Sequence, residues 1–224
     1  MRTELITNVS HDLRTPLTAI ITYIDILKDQ DLPEEERARC VHVLDKKSAR
    51  LKTLIDDLFE VSKASSNSIV MEPEEMDFVK FVRQYQVETE ERLEGSGLDF
   101  RFRLPEMALP VYLDGQRTCR VLDNLTGNAI KYSATGSRVY VEVSQTGNQA
   151  KFVIKNISAS ELNFDPQEIT ERFIRGDLSR NTEGSGLGLA IVKSFVENQG
   201  GLFRIEIDGD LFKAIILWPL LGIK

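Results

Sequence analysis

Two long apolar stripes at helical spacing dominate the N-terminal part of this chain and constrain how it can fold. In each stripe, apolar positions recur in steps of three and four residues, which places them on one face of an α-helix. A polar break runs from Asp29 to Pro33, and the acidic residues after Pro33 favour a new helix start because they complement the helix dipole. The sequence therefore predicts a hairpin of two long helices. The stripes are Ile6, Val9, Leu13, Pro16 or Leu17, Ile20, Tyr23 or Ile24 and Leu27 in the first helix, and Cys40, Leu44, Lys47, Leu51, Leu54, Leu58 and Val61 in the second.

Such a hairpin can bury only its inward stripe, so by itself it has too small a core to be stable. Pairing with a second copy would complete a four-helix bundle, and we expect a homodimer for this reason. The alternative is a two-helix arm that packs on the rest of its own chain.

Small polar residues from Ser62 to Ser68 interrupt the helical spacing and are typical of a linker. We therefore expect two domains, residues 1–64 and residues 65–224. The second domain mixes helical and strand-like patterns, which favours an α+β fold with a layer of helices on one mixed sheet. The expected helices cover residues 78–93, 115–132 and 187–198, and the expected strands cover residues 98–104, 111–113, 138–144 and 150–155, followed by a C-terminal hairpin.

The overall charge and the cysteines exclude several classes of protein. The formal net charge is -7 and no basic stripe is present, so we expect no nucleic-acid partner. Cys40 and Cys119 lack metal-ligand spacing, which is typical of inert thiols in a reducing compartment. The longest apolar run, residues 214–223, contains Pro219 and is shorter than the roughly 20 residues that span a membrane. No signal peptide begins the chain, so we expect this part to be cytoplasmic.

His11 has the most informative surroundings in the sequence. Asp12 follows it, Thr15 lies one turn later on the same helix face, and Pro16 removes a backbone donor beside them. An imidazole next to a carboxylate can accept a phosphoryl group on one ring nitrogen while its neighbour holds the proton of the other nitrogen. The alternative is a solvated polar side chain, which is our interpretation of His42.

Asn124, Asn128 and Lys131 follow one another at helical steps of four and three, so they share one helix face. Asparagine is a poor helix former, and two in register indicate ligands. An amide oxygen suits magnesium, and a lysine one turn later can meet a phosphate. The alternative is a solvated polar face.

Alternating glycines at Gly184, Gly186 and Gly188 lead into an amphipathic helix. Their backbone can approach a polyphosphate closely, with free amides at the start of the helix. The spacing matches neither the P-loop pattern nor the dinucleotide-binding pattern of glycines.

Four segments in this order resemble the sensor histidine kinases of two-component systems: residues 10–17, 124–132, 172–177 and 184–189. The resemblance covers nearly the whole chain. It implies a helical hairpin for dimerisation and histidine phosphotransfer, followed by an ATP-binding domain of the gyrase, chaperone and kinase superfamily with an α+β two-layer sandwich fold.

The resemblance also implies roles for single residues. His11 would be the phospho-acceptor, Asp12 its acid/base partner, and Thr15 would position water when the phosphorylated regulator is dephosphorylated. Asn128 would hold Mg²⁺. The other residues implied to bind ATP are Asn124, Lys131 and Tyr132, then Phe173 and Arg175 in a lid formed by residues 158–183, and finally Gly184, Gly186, Leu187, Gly188 and Leu189.

Asn156 departs from the family pattern, which has Asp-x-Gly-x-Gly at this point. The family's aspartate reads the adenine amino group, and Asn156 keeps a carbonyl acceptor for it but lacks the charge. Ser158 and Ser160 replace the two glycines and restrict the backbone at the start of the lid.

Hydrolytic relatives in this superfamily carry a glutamate four residues before the magnesium-binding asparagine. Asn124 occupies that position and cannot act as a base, so transfer to His11 is favoured over hydrolysis. We expect an ATP-dependent protein-histidine kinase that passes the phosphoryl group to an aspartate of a response regulator and also dephosphorylates that regulator. One alternative is an enzyme that acts mainly as this phosphatase, and another is a non-catalytic dimeric module that only senses nucleotide.

In the proteins that this chain resembles, an upstream segment commonly spans the membrane. We expect the full-length protein to be anchored in the cell membrane through such a segment, with the present part on the cytoplasmic side.

Overall fold

A computed structural model describes residues 2–29, 31–65, 71–165 and 186–222, with residues 2–12 and 61–65 described by their backbone. The chain divides into two compact units, Met1–Ser65 and Ser66–Lys224.

The first unit is a hairpin of two helices, α1 (Arg2–Leu27) and α2 (Glu34–Ser65). The first turn of α2 carries Glu34, Glu35 and Glu36, as its dipole favours. The Arg37 guanidinium donates to the carbonyl oxygens of Leu27, at 3.5 Å, and Asp29, at 3.2 Å. These bonds satisfy backbone groups at the end of α1 and connect it to the start of α2. The predicted helical hairpin is confirmed.

The inward face of the hairpin contains Pro16, Cys40 and Leu54, which are buried. Where the spacing left two choices in α1, the inward positions are Pro16 and Tyr23, since Leu17 and Ile24 are exposed. Helix α1 continues through Pro16. A second apolar set on the hairpin is exposed in the single chain: Leu17, Ile21 and Ile24 on α1, with Val41, Ile55 and Phe59 on α2.

The second unit places helices on a mixed sheet, and the predicted α+β fold is confirmed. Five strands lie in the order β2-β4-β5-β7-β6, with β2 parallel to β4 and the remaining neighbours antiparallel. A parallel neighbour requires a crossover connection, and α4 lies in the segment between β2 and β4. The elements of this unit are β1 (Glu74–Asp77), α3 (Phe78–Glu94), β2 (Asp99–Arg103), β3 (Pro110–Leu113), α4 (Gly115–Tyr132), β4 (Arg138–Thr146), β5 (Gln149–Ile157), α5 (Gly188–Asn198), β6 (Leu202–Asp208) and β7 (Leu211–Pro219).

Strand β1 is absent from the sequence-based expectation. It pairs with β3 in a separate two-stranded sheet. Three of its four residues are acidic, so it carries no alternation of apolar and polar residues that would have predicted a strand.

The core of the second unit lies between the sheet and its helices. Strand β4 alternates in burial, with Val139, Val141 and Val143 inside. Trp218 is fully buried and its ring meets that of Phe78 edge-on, with centroids 5.1 Å apart. Such large buried rings each remove a large apolar area from water and so contribute strongly to the core.

Helices α3 and α4 are joined by a polar contact at the edge of this core. The Tyr85 hydroxyl donates to Asp123 Oδ1 at 3.1 Å, and the Arg92 guanidinium donates to the same atom at 3.1 Å. Burial, more than the Asp123 charge, raises the pKa of Tyr85, so this hydroxyl keeps its proton. Burial likewise raises the pKa of the nearby Cys119 thiol, which favours the inert thiol form.

Among the helices that the structure describes, none combines the length and apolar character required to cross a bilayer.

Gly201 lies where no side chain fits. A Cβ atom there would lie 2.6 Å from Trp218 Cδ1 and 2.8 Å from Val196 Cγ1, closer than real Cβ atoms approach other groups. Because both neighbours are buried, Gly201→Ala should lower the free energy of unfolding by about 1–3 kcal/mol. Thermal unfolding followed by the fluorescence of Trp218, the single tryptophan of the chain, measures the loss.

The control for this prediction is Gly127→Ala in α4. It adds the same methyl group with nothing within 4 Å, and its higher helix propensity should raise stability by roughly 0.5–1 kcal/mol. A Gly201→Ala protein that unfolds at or above the wild-type midpoint would contradict the prediction.

Candidate functional site

The predicted nucleotide-binding side chains share one half-buried face of α4. The buried side of this helix contains Val121, Leu122, Leu125 and Ala129. Asn124, Asn128 and Lys131 are half-buried beside this face, at the steps of four and three read from the sequence. Burial of the apolar face therefore fixes the direction in which all three polar side chains extend.

The start of α5 packs against α4 at Asn124. A Cβ atom on Gly188 would lie 2.9 Å from Asn124 Oδ1, so a side chain at position 188 would require the Asn124 amide to shift. The Asn124 amide nitrogen donates to the Arg120 carbonyl at 2.9 Å, which holds the side chain in place. The structure thus brings the asparagine segment and the glycine segment together.

Two further features shape the beginning of α5. Gly186 has a φ of 67°, in the left-handed region that favours glycine. Leu187 is 2 % exposed, so it anchors the helix start in the core. Leu189 is half-buried in the first turn. Gly186 and Gly188 flank the buried Leu187, which fixes the position of the helix start. Backbone amides at a fixed helix N-terminus are a favourable binding site for anions.

The end of α4 is joined to the chain that follows β5. The Ala159 amide donates to the Tyr132 carbonyl at 2.8 Å, and Ser133 and Ser158 form an isolated β-bridge. The Lys131 ammonium donates to the Tyr132 hydroxyl at 2.7 Å. A phosphate would compete with this hydroxyl for the ammonium as a charge-assisted partner.

Asn156 lies inside the sheet, at 5 % exposure. In β5 it stands opposite Val139 of β4 and Phe212 of β7. At this place an aspartate would bring a full charge into the interior, whereas the amide carries none, so the departure from the family pattern lowers the cost of burying a polar group.

The remaining predicted residues fall in less fully described parts. Phe173, Arg175 and Gly184 lie outside the described residues. His11 and Asp12 lie within α1, where only the backbone is described. Thr15 is exposed, one turn along the same helix.

Sequence reasoning missed a polar group at the other end of α4. Asp114 caps this helix by accepting the Arg117 amide at 2.9 Å, and Gln199 at the end of α5 accepts the Asp114 amide at 2.7 Å. An aspartate just before a helical stripe is a recognised N-cap signal, whereas the partner from α5 is set by the tertiary fold.

Asn128 offers an amide oxygen to a magnesium ion. Among the described residues, no three His, Cys, Asp or Glu side chains form a cluster that could hold a metal ion. Magnesium keeps several waters and is often bound through one or two protein oxygens and substrate phosphates. The half-buried amide oxygen of Asn128 fits this mode.

Two family models match the chain in succession. The model described as "His Kinase A (phospho-acceptor) domain" matches residues 1–67. The model described as "Histidine kinase-, DNA gyrase B-, and HSP90-like ATPase" matches residues 113–219. The first contains His11, and the second contains α4, Asn156 and the start of α5.

Curated relatives match over most of this chain. MprB of Mycobacterium leprae, a signal transduction histidine-protein kinase/phosphatase, is 32% identical over 91% of this chain and 39% of its own length. The sensor histidine kinase WalK of Bacillus subtilis is 31% identical over 93% of this chain and 35% of its own. The sensor protein VanS of Enterococcus faecium is 30% identical, with 92% and 54% covered. The chain thus spans about a third to a half of the length of these relatives.

Solved structures share the fold. The Acinetobacter baumannii histidine kinase AdeS has a TM-score of 0.73 at 23% identity and covers 95% of this chain and 98% of its own. The histidine kinase ThkA in complex with response regulator protein TrrA has a TM-score of 0.72 at 22% identity, with 96% and 61% covered. A mycobacterial MprB structure has a TM-score of 0.55 at 28% identity, with 66% of this chain and 98% of its own covered.

Gly188→Ala tests the contact between α4 and α5. The added methyl group would displace the Asn124 side chain from the Arg120 carbonyl and push the helix start away from α4. We expect the dissociation constant for a non-hydrolysable ATP analogue to rise about three- to tenfold, or roughly 0.7–1.4 kcal/mol. Titration calorimetry with Mg²⁺ present measures it.

Gly127→Ala is again the matched control, because its methyl group meets nothing within 4 Å. It should bind the analogue as the wild type does. Equal affinity of the Gly188→Ala protein and the wild type would show that this approach of the helices does not shape the nucleotide site.

Proposed function

Because the chain belongs to the sensor histidine kinases, we propose that it is an ATP-dependent protein-histidine kinase that phosphorylates itself on His11. The observation that carries the proposal is the succession, in one chain, of a phospho-acceptor domain match over residues 1–67 and an ATPase-like domain match over residues 113–219. A binding-only module would need no phospho-acceptor domain, and nothing in the comparisons favours it.

ATP would bind along α4 and the start of α5. Asn124, Lys131 and Tyr132 would line the phosphates and the nucleoside, with Asn156 facing the adenine. The amides around Gly186 and Gly188 would face the phosphates. Phe173, Arg175 and Gly184 would complete the site.

Asn128 would hold Mg²⁺ through its amide oxygen. The ion, when bound, would neutralise charge on the phosphate oxygens during transfer. Lys131 is half-buried near the end of the same helix and would add a positive charge. Asn124, unlike a glutamate, cannot remove a proton from water, which limits hydrolysis in competition with transfer.

His11 would attack the terminal phosphorus of ATP through one ring nitrogen. A nitrogen–phosphorus bond forms as the bond from that phosphorus to the bridging oxygen breaks, and ADP leaves with the electron pair. Asp12 would hold the proton on the other ring nitrogen, which keeps the attacking nitrogen unprotonated.

His11 and the nucleotide-binding residues belong to different units of the chain. We propose domains of residues 1–64 and 65–224, with the polar linker between them as the place where orientation is controlled. Transfer requires the nucleophile to be in line with the leaving oxygen, so the relative orientation of the domains would set the rate.

The partner that receives the phosphoryl group would be an aspartate of a response regulator. Two observations on related proteins support this: ThkA was solved in complex with response regulator protein TrrA, and MprB is described as a kinase/phosphatase. Thr15, exposed on α1 one turn after His11, would position water in a phosphatase reaction.

The hairpin would dimerise into a four-helix bundle. Its second apolar set, which includes Ile21 at 53% and Phe59 at 62% exposure, faces solvent in the single chain. Burying such side chains contributes about 1.5–3 kcal/mol each, and a second hairpin offers a complementary surface. The full-length protein would be anchored in the cell membrane by an upstream segment, with this part in the cytoplasm.

Incubation with ATP labelled on the terminal phosphate and Mg²⁺ tests the kinase. The wild type should gain a label that is lost in acid, as a phosphorus–nitrogen bond predicts, and His11→Gln should gain none. His42→Gln is the matched control, because His42 is the second of the two histidines, and it should label normally. An unlabelled wild type, or a labelled His11→Gln protein, contradicts the proposal.

Phe59→Glu tests the dimer. A charge in the buried seam of the bundle should weaken association by at least about 2 kcal/mol, and light scattering should then give the 25.4 kDa mass of one chain instead of twice that mass. Val87→Glu alters an apolar residue of α3 with 68% exposure and should leave the dimer intact. A wild type that is monomeric at all concentrations tested would rule the dimer out.

A further inference from the structure

Asp114 joins three segments of the second unit through three hydrogen bonds. Its Oδ1 atom accepts the Arg117 amide at 2.9 Å and caps α4. Its Oδ2 atom accepts the Glu72 amide at 3.1 Å, in the segment between the linker and β1. Its own amide donates to Gln199 Oε1 at 2.7 Å, at the end of α5. One side chain and its backbone thus connect the linker side of the unit to both nucleotide helices.

The contact with α5 is reinforced by neighbours. The Thr118 hydroxyl donates to the same Gln199 oxygen at 3.4 Å, and the Gln199 amide nitrogen donates to the Phe195 carbonyl at 3.0 Å. Asp114 is 6% exposed and Thr118 is fully buried. In a site this protected from water, each bond contributes more than it would at the surface, and a lost partner is costly.

Helices α4 and α5 are in contact at both ends of α5. One contact is that of Gln199 with Asp114 and Thr118, and the other is the close approach of Gly188 to Asn124. Contacts at both ends of α5 oppose sliding of one helix along the other, so we infer that the pair moves as one element. A segment that is bonded to the Asp114 and Gln199 end of the α4–α5 pair therefore has a fixed position relative to Asn124 and Gly188.

We propose that Asp114 is a positioning residue that fixes the segment at Glu72, which follows the linker, to the helices of the nucleotide site. This inference rests on the proposed function, in which the linker carries the domain that bears His11. With the bond intact, the linker joins the ATP-binding unit at a defined point. Without the bond, residues 71–73 are no longer held, and the chain that connects the two domains lengthens by up to about 10 Å. A longer connection lowers the effective concentration of the phosphoryl donor near His11.

Two substitutions remove this bond from opposite sides. Asp114→Ser keeps a capping oxygen for the Arg117 amide but has no second oxygen for the Glu72 amide. Glu72→Pro removes the amide donor and leaves Asp114 unchanged. Glu72→Ala is the matched control, because it removes only an exposed side chain and keeps the amide.

The full chain is assayed for the rate of His11 labelling at saturating ATP and for the dissociation constant of an ATP analogue. We expect both bond-breaking variants to label about three- to tenfold more slowly while binding the analogue within about twofold of the wild type. Glu72→Ala should match the wild type in both measurements. Unchanged rates in both variants, or a rate loss matched by an equal loss of affinity, would overturn the proposal, since the latter indicates a damaged nucleotide site.

Hydrogen exchange at the Glu72 amide tests the bond without phosphoryl transfer. Exchange should be slow in the wild type and fast in Asp114→Ser. If the wild type gains no label on His11, the proposed kinase function fails, and the exchange result still decides whether Asp114 holds the segment at Glu72. Equally fast exchange in both proteins would overturn it.

Discussion

The burial of one face of α4 is the constraint on which the candidate site depends. Four apolar side chains of this helix lie in the core, and because the helix is rigid, their burial fixes where its polar residues extend. Because Asn124, Asn128 and Lys131 follow helical spacing, they lie on one helix surface without any further interaction. The same burial places Asn124 where α5 approaches it, and the glycine at position 188 allows that approach without a shift of the Asn124 side chain. The packing of one helix thus accounts for the meeting of two motifs separated by about sixty residues of sequence.

The two units of the chain differ in how they bury their apolar side chains. The second unit encloses large rings such as Trp218 and Phe78 and has a core of its own. The described part of the hairpin leaves a second apolar set exposed in the single chain, which the proposed dimer would cover. This difference suits the proposed function, in which a self-sufficient ATP-binding domain must move relative to a paired helical domain.

Much of the architecture could be predicted from local pattern. Spacing in steps of three and four predicts α1, α2 and α4, because the periodicity of a helix is imposed by its backbone geometry. The pattern fails at β1, where three acidic residues pair with β3. It leaves Pro16 and Leu17 undecided as well, since both fit the stripe within one residue. Strand pairing and the choice of inward face depend on distant partners that local sequence does not contain.

The sequence by itself determined the two-part organisation, the candidate phospho-acceptor His11 and the candidate nucleotide residues on α4, because residue type and spacing carry that information locally. The tertiary structure alone decided that Gly188 lies on Asn124, that Asn156 is enclosed between two strands, and that Asp114 joins Glu72 to Gln199. These contacts join residues far apart in the chain. They form only when the sheet and its helices pack together, since packing is what brings such distant groups within hydrogen-bonding distance.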